Sequence, residues 1–268
     1  MSVLIWNYAL LIVTAAAAGA INSVAGGGTL LTFPALFAVL RASPHAQLAA
    51  TAGVIANATS TVALVPGSAA SMWGYRRELA GVSRWAWLLL APSFVGGLIG
   101  SLLVVLWPDK FDALIPWLIL TAALLFALQP AITRWTGIGR PHAEPTRSTQ
   151  AGIIALQFAI AIYGGYFGAG IGILMLSGLA LMGLTDIHAM NALKTLLNCA
   201  INGVSVAIFV VYGVVDWPLA SMMAVAAIVG GYGGARVARR LNRNLVRRGV
   251  VAIGFLLAAW YFYQQLAG

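Results

Sequence analysis

Residues 164–172 read GGYFGAGIG and join two apolar runs, near 150–166 and 168–184, with no charged residue between them. Residues 25–29 read AGGGT and join an earlier pair of apolar runs in the same way. A membrane-spanning helix needs roughly 20 apolar residues, and several of these runs are shorter. Irregular backbone inside a bilayer is tolerated only where protein buries it or where it lines a water-filled cavity. Each pair of runs therefore predicts a broken or re-entrant helix hairpin.

The composition of the whole chain indicates a membrane protein. Of its 268 residues, 61% are hydrophobic and 8% are charged, and the mean hydropathy is +0.93. Soluble domains carry roughly 25% charged residues, so a soluble or disordered chain is excluded, and a single cysteine excludes a disulfide scaffold. Apolar segments lie near 3–23, 26–40, 46–66, 86–107, 112–130, 150–166, 168–184, 189–213, 217–236 and 249–266. We therefore predict an all-α polytopic membrane protein surrounded by a lipid bilayer.

The second half of the chain repeats the first. A shift of 144 residues superposes the two glycine-rich junctions and matches Gly26/Gly170, Gly28/Gly172, Thr51/Thr195 and Trp73/Trp217. We expect a first repeat at 1–130, a cytoplasmic linker at 131–149 and a second repeat at 150–268. Each repeat has about five helical segments, or three crossings if its hairpin re-enters, so the second repeat starts from the opposite side. Two inverted repeats are the architecture of many secondary transporters.

The positive charges orient these repeats. If the N-terminus lies outside, the loops near 67–85, 131–149 and 236–248 lie inside and carry twelve of the fifteen basic residues. An excess of arginine and lysine is typical of cytoplasmic loops in membrane proteins. We therefore expect both termini outside. The net charge of +9 comes from these loops between apolar segments. Because this is the pattern of a membrane protein, we expect no nucleic acid partner.

The sequence contains no enzyme signature. It lacks a His-Glu-x-x-His zinc motif, a phosphate-binding Gly-Lys-Ser/Thr motif, a Gly-x-Ser-x-Gly motif and paired cysteines. The glycines at 168–172 have neither the strand context nor the partner acid of a dinucleotide-binding loop. The six acidic residues lie in loops or at the ends of apolar segments, which leaves no carboxylate pair for acid–base or proton-relay chemistry. We expect no catalytic residue, no metal site and no cofactor.

Polar residues form one stripe along the segment near 189–213. They recur at steps of three and four residues, at Asn191, Lys194, Asn198, Asn202 and Ser205. This spacing places them on one face of a helix. A polar face within a membrane normally looks into the helix bundle or onto an aqueous path. Two interpretations follow: the asparagines bind a substrate, or they bond to neighbouring helices.

Lys194 lies within this apolar segment, where a buried cation needs a partner. Either its side chain extends back toward Asp186 and the inner face, or a transported anion is its counter-ion. Thr51 and Thr195 occupy equivalent positions in the two repeats and are further candidate site residues. Threonine in a helix also often bonds to its own backbone, so these two residues fit either role.

The glycine-rich junctions are candidates for receiving an anion. A helix that starts inside the membrane presents free N–H groups and the positive end of its dipole. Glycine leaves room for a ligand beside the backbone. The candidate residues are Asn22, Ser23, Gly26, Gly27, Gly28, Thr29, Gly168, Gly170 and Gly172. The alternative is that these glycines let helices pack closely, as we expect for the glycines of 96–100 and 230–234.

Residues 19–36, which read GAINSVAGGGTLLTFPAL, resemble the first motif of the TauE/SafE family of sulfite and organosulfonate exporters. Residues 164–172, followed by Ala192-Leu193-Lys194-Thr195 and Asn198, are similar to its second motif. The resemblance implies a multi-pass carrier in the plasma membrane, the bacterial inner membrane, that exports small anions such as sulfite, thiosulfate or sulfonates. With no carboxylate in mid-span, we expect uniport or a proton carried on the substrate itself. A carrier of small carboxylates and a membrane-embedded binding or scaffold subunit are the alternatives.

Overall fold

The computed structural model describes residues 2–24, 27–43, 49–136, 147–180, 184, 186–238 and 243–267, and these residues are mostly helical. The helices are α1 (Ser2–Val24), α2 (Thr29–Arg41), α3 (Ala52–Gly74), α4 (Arg76–Ala80), α5 (Ser83–Leu106), α6 (Pro108–Trp135), α7 (Arg147–Tyr166), α8 (Ile171–Ala180), α9 (Ile187–Val211), α10 (Trp217–Ala238) and α11 (Arg243–Ala267). No strand occurs in these ranges. The predicted all-α fold is confirmed.

Five of the described helices contain stretches long and apolar enough to cross a membrane: Ile5–Asn22, Trp87–Leu106, Pro108–Trp135, Ile187–Val211 and Arg247–Leu266. Shorter apolar helices occupy Thr29–Arg41, Gln150–Tyr166, Ile171–Ala180 and Trp217–Gly231. At 1.5 Å per residue, the 13 residues of α2 and the 10 residues of α8 reach about 20 and 15 Å. Neither crosses a core about 30 Å thick. Each follows a long helix across a glycine-rich junction, which agrees with the predicted hairpins.

The boundaries of α6 differ from those expected from hydropathy. α6 begins at Pro108, four residues before the apolar run near 112–130, because proline fits the first helical turn, where its missing N–H is not needed. The helix continues to Trp135 and so enters the expected linker. Residues 137–146 of that linker lie outside the described residues. The division of the chain at 131–149 stays a prediction.

The helices of each half pack mainly against those of the other half. Each such pair has an equivalent pair, in which each helix is replaced by its counterpart from the other half. α1 packs along α10, and its counterpart α7 packs along α5. In the same way, α3 contacts α10 and α9 contacts α5. The pairs α3 with α9 and α6 with α11 join equivalent helices of the two halves. This exchange supports the predicted repeat, while the inverted orientation of the halves in a bilayer stays a prediction.

Glycines bring the crossing helices into backbone contact. Where α1 crosses α10, Gly19 faces the backbone of Ala227. Where α5 crosses α7, a Cβ on Gly96 would lie only 2.6 Å from the Cβ of Ala161. The predicted packing role is confirmed for Gly96, Gly97, Gly100 and Gly230, each of which faces a neighbouring helix at such short range.

Cysteine labelling would test the predicted orientation. In a Cys199→Ser background, we expect Gly74→Cys to react with an impermeant maleimide only in inside-out vesicles, and Tyr212→Cys only in intact cells. Nothing lies within 4 Å of a Cβ on Gly74, and Tyr212 is exposed beyond the end of α9. The physical reason is that arginine-rich loops stay in the cytoplasm. Reaction of both cysteines from the same side would contradict the predicted orientation.

Candidate functional site

The first hairpin turn is closed by Asn22, near the end of α1. Its Oδ1 accepts hydrogen bonds from the N–H groups of Gly27 and Gly28, at 3.0 and 3.4 Å. The expectation that these two N–H groups are free for an anion is therefore wrong, because a side-chain amide already occupies them. Thr29 is half-buried at the start of α2. Gly26 and the Ser23 side chain lie outside the described part of the structure.

Gly27 and Gly28 are buried and face protein. A Cβ on Gly27 would overlap the ring of Phe126 in α6. A Cβ on Gly28 would lie 2.8 Å from the carbonyl oxygen of Ala18. Close packing, the alternative interpretation of these two glycines, is what the structure shows. The first hairpin thus supports the bundle without offering these N–H groups to a ligand.

Asn22→Ala is expected to lower the free energy of unfolding by about 0.5–2 kcal/mol, the usual cost of losing a side-chain cap. The variant leaves the N–H groups of Gly27 and Gly28 without their acceptor. Asn22→Asp keeps an acceptor oxygen, and a negative charge suits a helix N-terminus, so it serves as the matched control. The measurement is the thermal unfolding midpoint of the purified protein in detergent. An alanine variant as stable as wild type would contradict the capping role.

The second hairpin turn is built on left-handed backbone. Gly168 and Gly170 have φ of +75° and +78°, a conformation that residues with a Cβ adopt only at a cost. The hydroxyl of Tyr163 donates to the carbonyl oxygen of Ala169 at 2.7 Å and holds the turn. The N–H groups of Gly170 and Gly172 donate to no described residue. Unlike the first turn, this one leaves backbone donors available.

Lys194 of α9 lies beside this second turn. A Cβ on Gly172 would lie 3.6 Å from the Cδ of Lys194, so the lysine stem passes the open side of that glycine. The Nζ donates to the Oδ1 of Asn191 at 3.0 Å, and the lysine is half-buried. Asp186 instead caps α9, since its Oδ1 accepts from the N–H of His188 at 2.8 Å. Within the described residues no carboxylate pairs with Lys194, so the structure does not show the predicted extension to Asp186.

The other polar candidate residues of α9 fall into two groups. Thr195 and Ser205 are buried and donate to carbonyl oxygens of their own helix, at 2.8 and 2.9 Å. Asn198 and Asn202 are half-buried, and their side chains bond to none of the described residues. These two asparagines keep their donors available one and two turns beyond the lysine. Thr51 is exposed immediately before α3, so the bundle does not enclose it.

Asn57 of α3 is a residue near the second turn that sequence reasoning missed. It is 1% exposed, and its Nδ2 donates to the carbonyl oxygen of Tyr166, the last residue of α7, at 3.1 Å. Ser60, about one turn later, shares a hydrogen bond of 2.6 Å with Thr32 of α2. α3 therefore bonds to both hairpins through one face. An asparagine and a serine three residues apart in an apolar segment were the signal for that face.

A cavity of about 470 Å³ opens at the N-terminal end of α9. It is lined by Arg77, Glu78, Gly81, Val82, Leu184, Asp186 and Ala189. Ala189 precedes Lys194 by five residues, which is about 7.5 Å along a helix axis. The cavity has room for a small anion, and its wall carries the positive charge of Arg77 together with the carboxylates of Glu78 and Asp186.

Asp112 lies near the start of α6, at the end of an apolar segment, where the sequence placed it. Because α6 begins at Pro108, the residue is one turn into the candidate span Pro108–Trp135. Its Oδ1 is buried and has no hydrogen-bond partner among the described residues. Asp112 thus lies in the first turns of a candidate span, which agrees with the expectation that the acidic residues lie in loops or at the ends of segments. The described residues contain no group of three or more side chains able to hold a metal ion.

Known proteins similar to this chain match it over nearly their whole length. A "Probable membrane transporter protein" of Haemophilus influenzae is 27% identical over 247 residues, which cover 91% of this chain and 90% of the relative. The "Probable membrane transporter protein YfcA" of Escherichia coli K12 is 28% identical over 251 residues, covering 92% and 87%. No solved structure matches the chain. Residues 11–261 match the family model described as "Sulfite exporter TauE/SafE". The chain therefore belongs to the TauE/SafE sulfite exporter family of membrane transporters.

Proposed function

We propose that this protein carries small anions across the plasma membrane and exports sulfur-containing anions such as sulfite, thiosulfate or sulfonates. The observation behind the proposal is a lysine for which the described residues offer no carboxylate partner. Lys194 is half-buried beside the second hairpin turn, and its only described hydrogen bond is to the neutral Asn191. A cation enclosed in a membrane bundle requires a counter-ion. A transported anion supplies that charge.

Donors of three kinds lie on this part of the bundle. The ammonium of Lys194 supplies charge, and the N–H groups of Gly170 and Gly172 supply backbone donors. The amides of Asn198 and Asn202 supply neutral side-chain donors on the same face of α9. A sulfur oxyanion presents oxygens in several directions, and hydrogen bonds to charged acceptors are about twice as strong as neutral ones. This donor set therefore suits a small anion with several oxygens.

The cavity at the start of α9 is the proposed entry for the anion. Its wall carries the positive charge of Arg77 beside the carboxylates of Glu78 and Asp186, and Ala189 in that wall precedes Lys194 by five residues, less than two helical turns. The proposed orientation, with both termini outside, places this cavity on the cytoplasmic side. An exporter takes its substrate from that side. The anion would pass from the cavity at the start of α9 to Lys194, which lies beside the second hairpin turn.

The chemical class of the anion rests on the family. The family description names sulfite, whereas the relatives are named only as probable membrane transporters. Carboxylates would satisfy the same ammonium and amide donors, so a carrier of small carboxylates is the second candidate. A membrane-embedded scaffold subunit is the third, and it gives no reason for a lysine with no carboxylate among its described partners beside a broken helix.

Flux measurements in liposomes would test the proposal. Purified protein is reconstituted and assayed for entry of radiolabelled sulfite, thiosulfate and sulfoacetate, with acetate and succinate in parallel and protein-free liposomes as the blank. We expect saturable flux of at least one sulfur anion. Flux of carboxylates alone would replace the proposed substrate class. Absence of flux for every anion would favour the scaffold subunit.

A further inference from the structure

Asn57 of α3 has one amide atom that the described residues leave without a partner. The side chain is 1% exposed, and its Nδ2 donates to the carbonyl oxygen of Tyr166 at 3.1 Å. Exchanging the two amide atoms would set Oδ1 against that carbonyl oxygen, so the hydrogen bond fixes the orientation of the amide. Its Oδ1 is shielded from solvent and accepts no hydrogen bond from a described residue. A buried amide oxygen without a donor is costly, so a donor or a cation beside it would stabilise the protein.

The end of α7 presents further oxygens without donors near Asn57. Gly164 and Gly165 belong to the last turn of α7, and both are buried. Their carbonyl oxygens accept hydrogen bonds from no described residue. The last carbonyl groups of a helix all point toward its C-terminal end. These oxygens therefore face the same end of α7 as the carbonyl oxygen of Tyr166, to which Asn57 bonds.

The second hairpin turn is the reason that no backbone N–H reaches these two carbonyl groups. The N–H groups of Phe167 and Gly168 both donate to the carbonyl oxygen of Tyr163, at 2.9 and 3.1 Å. Gly168, with its φ of +75°, then ends the helical path. Two donors thus share one carbonyl oxygen, and those of Gly164 and Gly165 receive none.

The polar side chains beside the second turn have other partners. The hydroxyl of Tyr163 donates to the carbonyl oxygen of Ala169, and the Nζ of Lys194 donates to the Oδ1 of Asn191. Among the described residues, the oxygens at the end of α7 therefore have one side-chain donor, the Nδ2 of Asn57. They also lie at the negative end of the α7 dipole, where a positive charge is favourable.

A monovalent cation suits such a group of neutral oxygens. In membrane proteins, backbone carbonyl groups at the C-terminal ends of broken helices coordinate Na⁺. Sites for Ca²⁺ and Mg²⁺ use carboxylates, and the part of the chain that the structure describes has no group of three or more metal-binding side chains. A water molecule is the alternative occupant, and it donates only two hydrogen bonds.

We propose that the end of α7 binds one Na⁺ ion through the Oδ1 of Asn57 and the carbonyl oxygens of Gly164 and Gly165. The ion fastens the second hairpin to α3. It has no assigned step in transport, so the inference goes beyond the proposed function and does not depend on it. It replaces the expectation of no metal site, which rested on zinc motifs, cysteine pairs and acidic residues, because this site uses neutral oxygens.

Binding of radioactive Na⁺ to the purified protein in detergent tests the proposal. Choline keeps the ionic strength constant, and no sulfur anion is present. We expect saturable binding by the wild-type protein. Asn57→Leu removes Oδ1 and is expected to lower the affinity about tenfold or more, since a hydrogen bond to a charged group is worth roughly 1.5–3 kcal/mol. Ser60→Ala is the matched control on the same helix, because it removes the hydrogen bond to Thr32 and is expected to bind Na⁺ normally.

The thermal unfolding midpoint is a second measurement, and a purely structural role of Asn57 would not make it depend on Na⁺. We expect Na⁺ in place of choline to raise the midpoint of the wild-type protein, because a ligand that binds only the folded state stabilises it. Asn57→Leu is expected to unfold at the same temperature in both salts. Ser60→Ala is expected to unfold at a lower temperature and still to be stabilised by Na⁺.

Two results would overturn the proposal. Wild-type protein that binds no Na⁺ would leave a water molecule as the donor to these oxygens, and unchanged Na⁺ binding by Asn57→Leu would exclude Oδ1 as a ligand. If Asn57→Leu does not elute as a single species, Asn57→Asp decides. It keeps an oxygen and adds the charge that cation sites favour, so we expect it to bind Na⁺ at least as tightly as wild type. A folded aspartate variant that binds no Na⁺ would contradict the site.

Discussion

Lys194→Ala is expected to lower anion affinity by a factor of about 30 to several thousand. Removing one partner of a desolvated charge pair commonly costs about 2–5 kcal/mol, and each 1.4 kcal/mol is about tenfold in affinity. The fold is expected to survive, because the residue is half-buried and its described contacts are its stem beside Gly172 and one hydrogen bond to Asn191. Equilibrium binding of radiolabelled thiosulfate and sulfite to purified protein measures the change.

Three further variants isolate the charge of Lys194. Lys194→Arg is expected to keep part of the affinity, because the charge remains while the shape changes. Lys110→Ala removes the other lysine of the chain, which is exposed with its Nζ 5.5 Å from the centroid of the Trp107 ring, and is expected to bind normally. Asp186→Asn keeps a capping oxygen for the N–H of His188 and is also expected to bind normally.

Two results would contradict the assignment of Lys194. If Lys194→Ala binds within about threefold of wild type, a difference well under 1 kcal/mol, the backbone donors of the second turn hold the anion alone. If Asp186→Asn loses as much affinity as Lys194→Ala, the two residues act as a pair. That pairing would restore the interpretation in which the lysine extends toward the inner face.

The helices could be predicted from the sequence because a bilayer imposes its thickness on every spanning segment. The glycine-rich junctions and the α9 stripe were equally visible, since a break in a helix and a polar helix face each leave a local pattern. The role of Asn22 was not visible in the same way. An asparagine beside a glycine turn suits both an anion site and a cap, and only the turn geometry shows that Oδ1 accepts from Gly27 and Gly28.

The residues that sequence reasoning missed depend on contacts between distant segments. Asn57 bonds to Tyr166 across 109 positions of the chain, and no pattern within α3 reveals that partner. The start of α6 at Pro108 was also missed, because Pro108, Asp109 and Lys110 interrupt the apolar run. Helix starts are set by backbone hydrogen bonding and by proline's fit to the first turn, so the helix begins before the hydropathy rises.

Gly165→Leu is expected to prevent folding or to lower the free energy of unfolding by more than about 3 kcal/mol, beyond the usual cost of overpacking a core. Gly165 is buried where α7 crosses α5, and a Cβ there would lie 2.9 Å from the Cα of Gly97. Gly152→Leu, on the same helix, is the matched control. Gly152 is exposed with nothing within 4 Å of its Cβ position, and replacing a helical glycine there is expected to leave stability equal or raised by up to about 1 kcal/mol.

The same substitution where α1 crosses α10 tests whether the equivalent helix crossings depend on the same close backbone contact. Gly19 of α1 faces the backbone of Ala227 in α10 as closely as Gly165 faces Gly97. The α1–α10 pair and the α7–α5 pair occupy equivalent places in the two halves. Gly19→Leu is therefore expected to destabilise the protein as strongly as Gly165→Leu. Thermal unfolding followed by fluorescence-detected size-exclusion chromatography compares the three variants. A stable, monodisperse Gly165→Leu or Gly19→Leu protein would contradict this prediction. The helices at that crossing would then separate without loss of stability, and the backbone contact would not be what holds the two halves together.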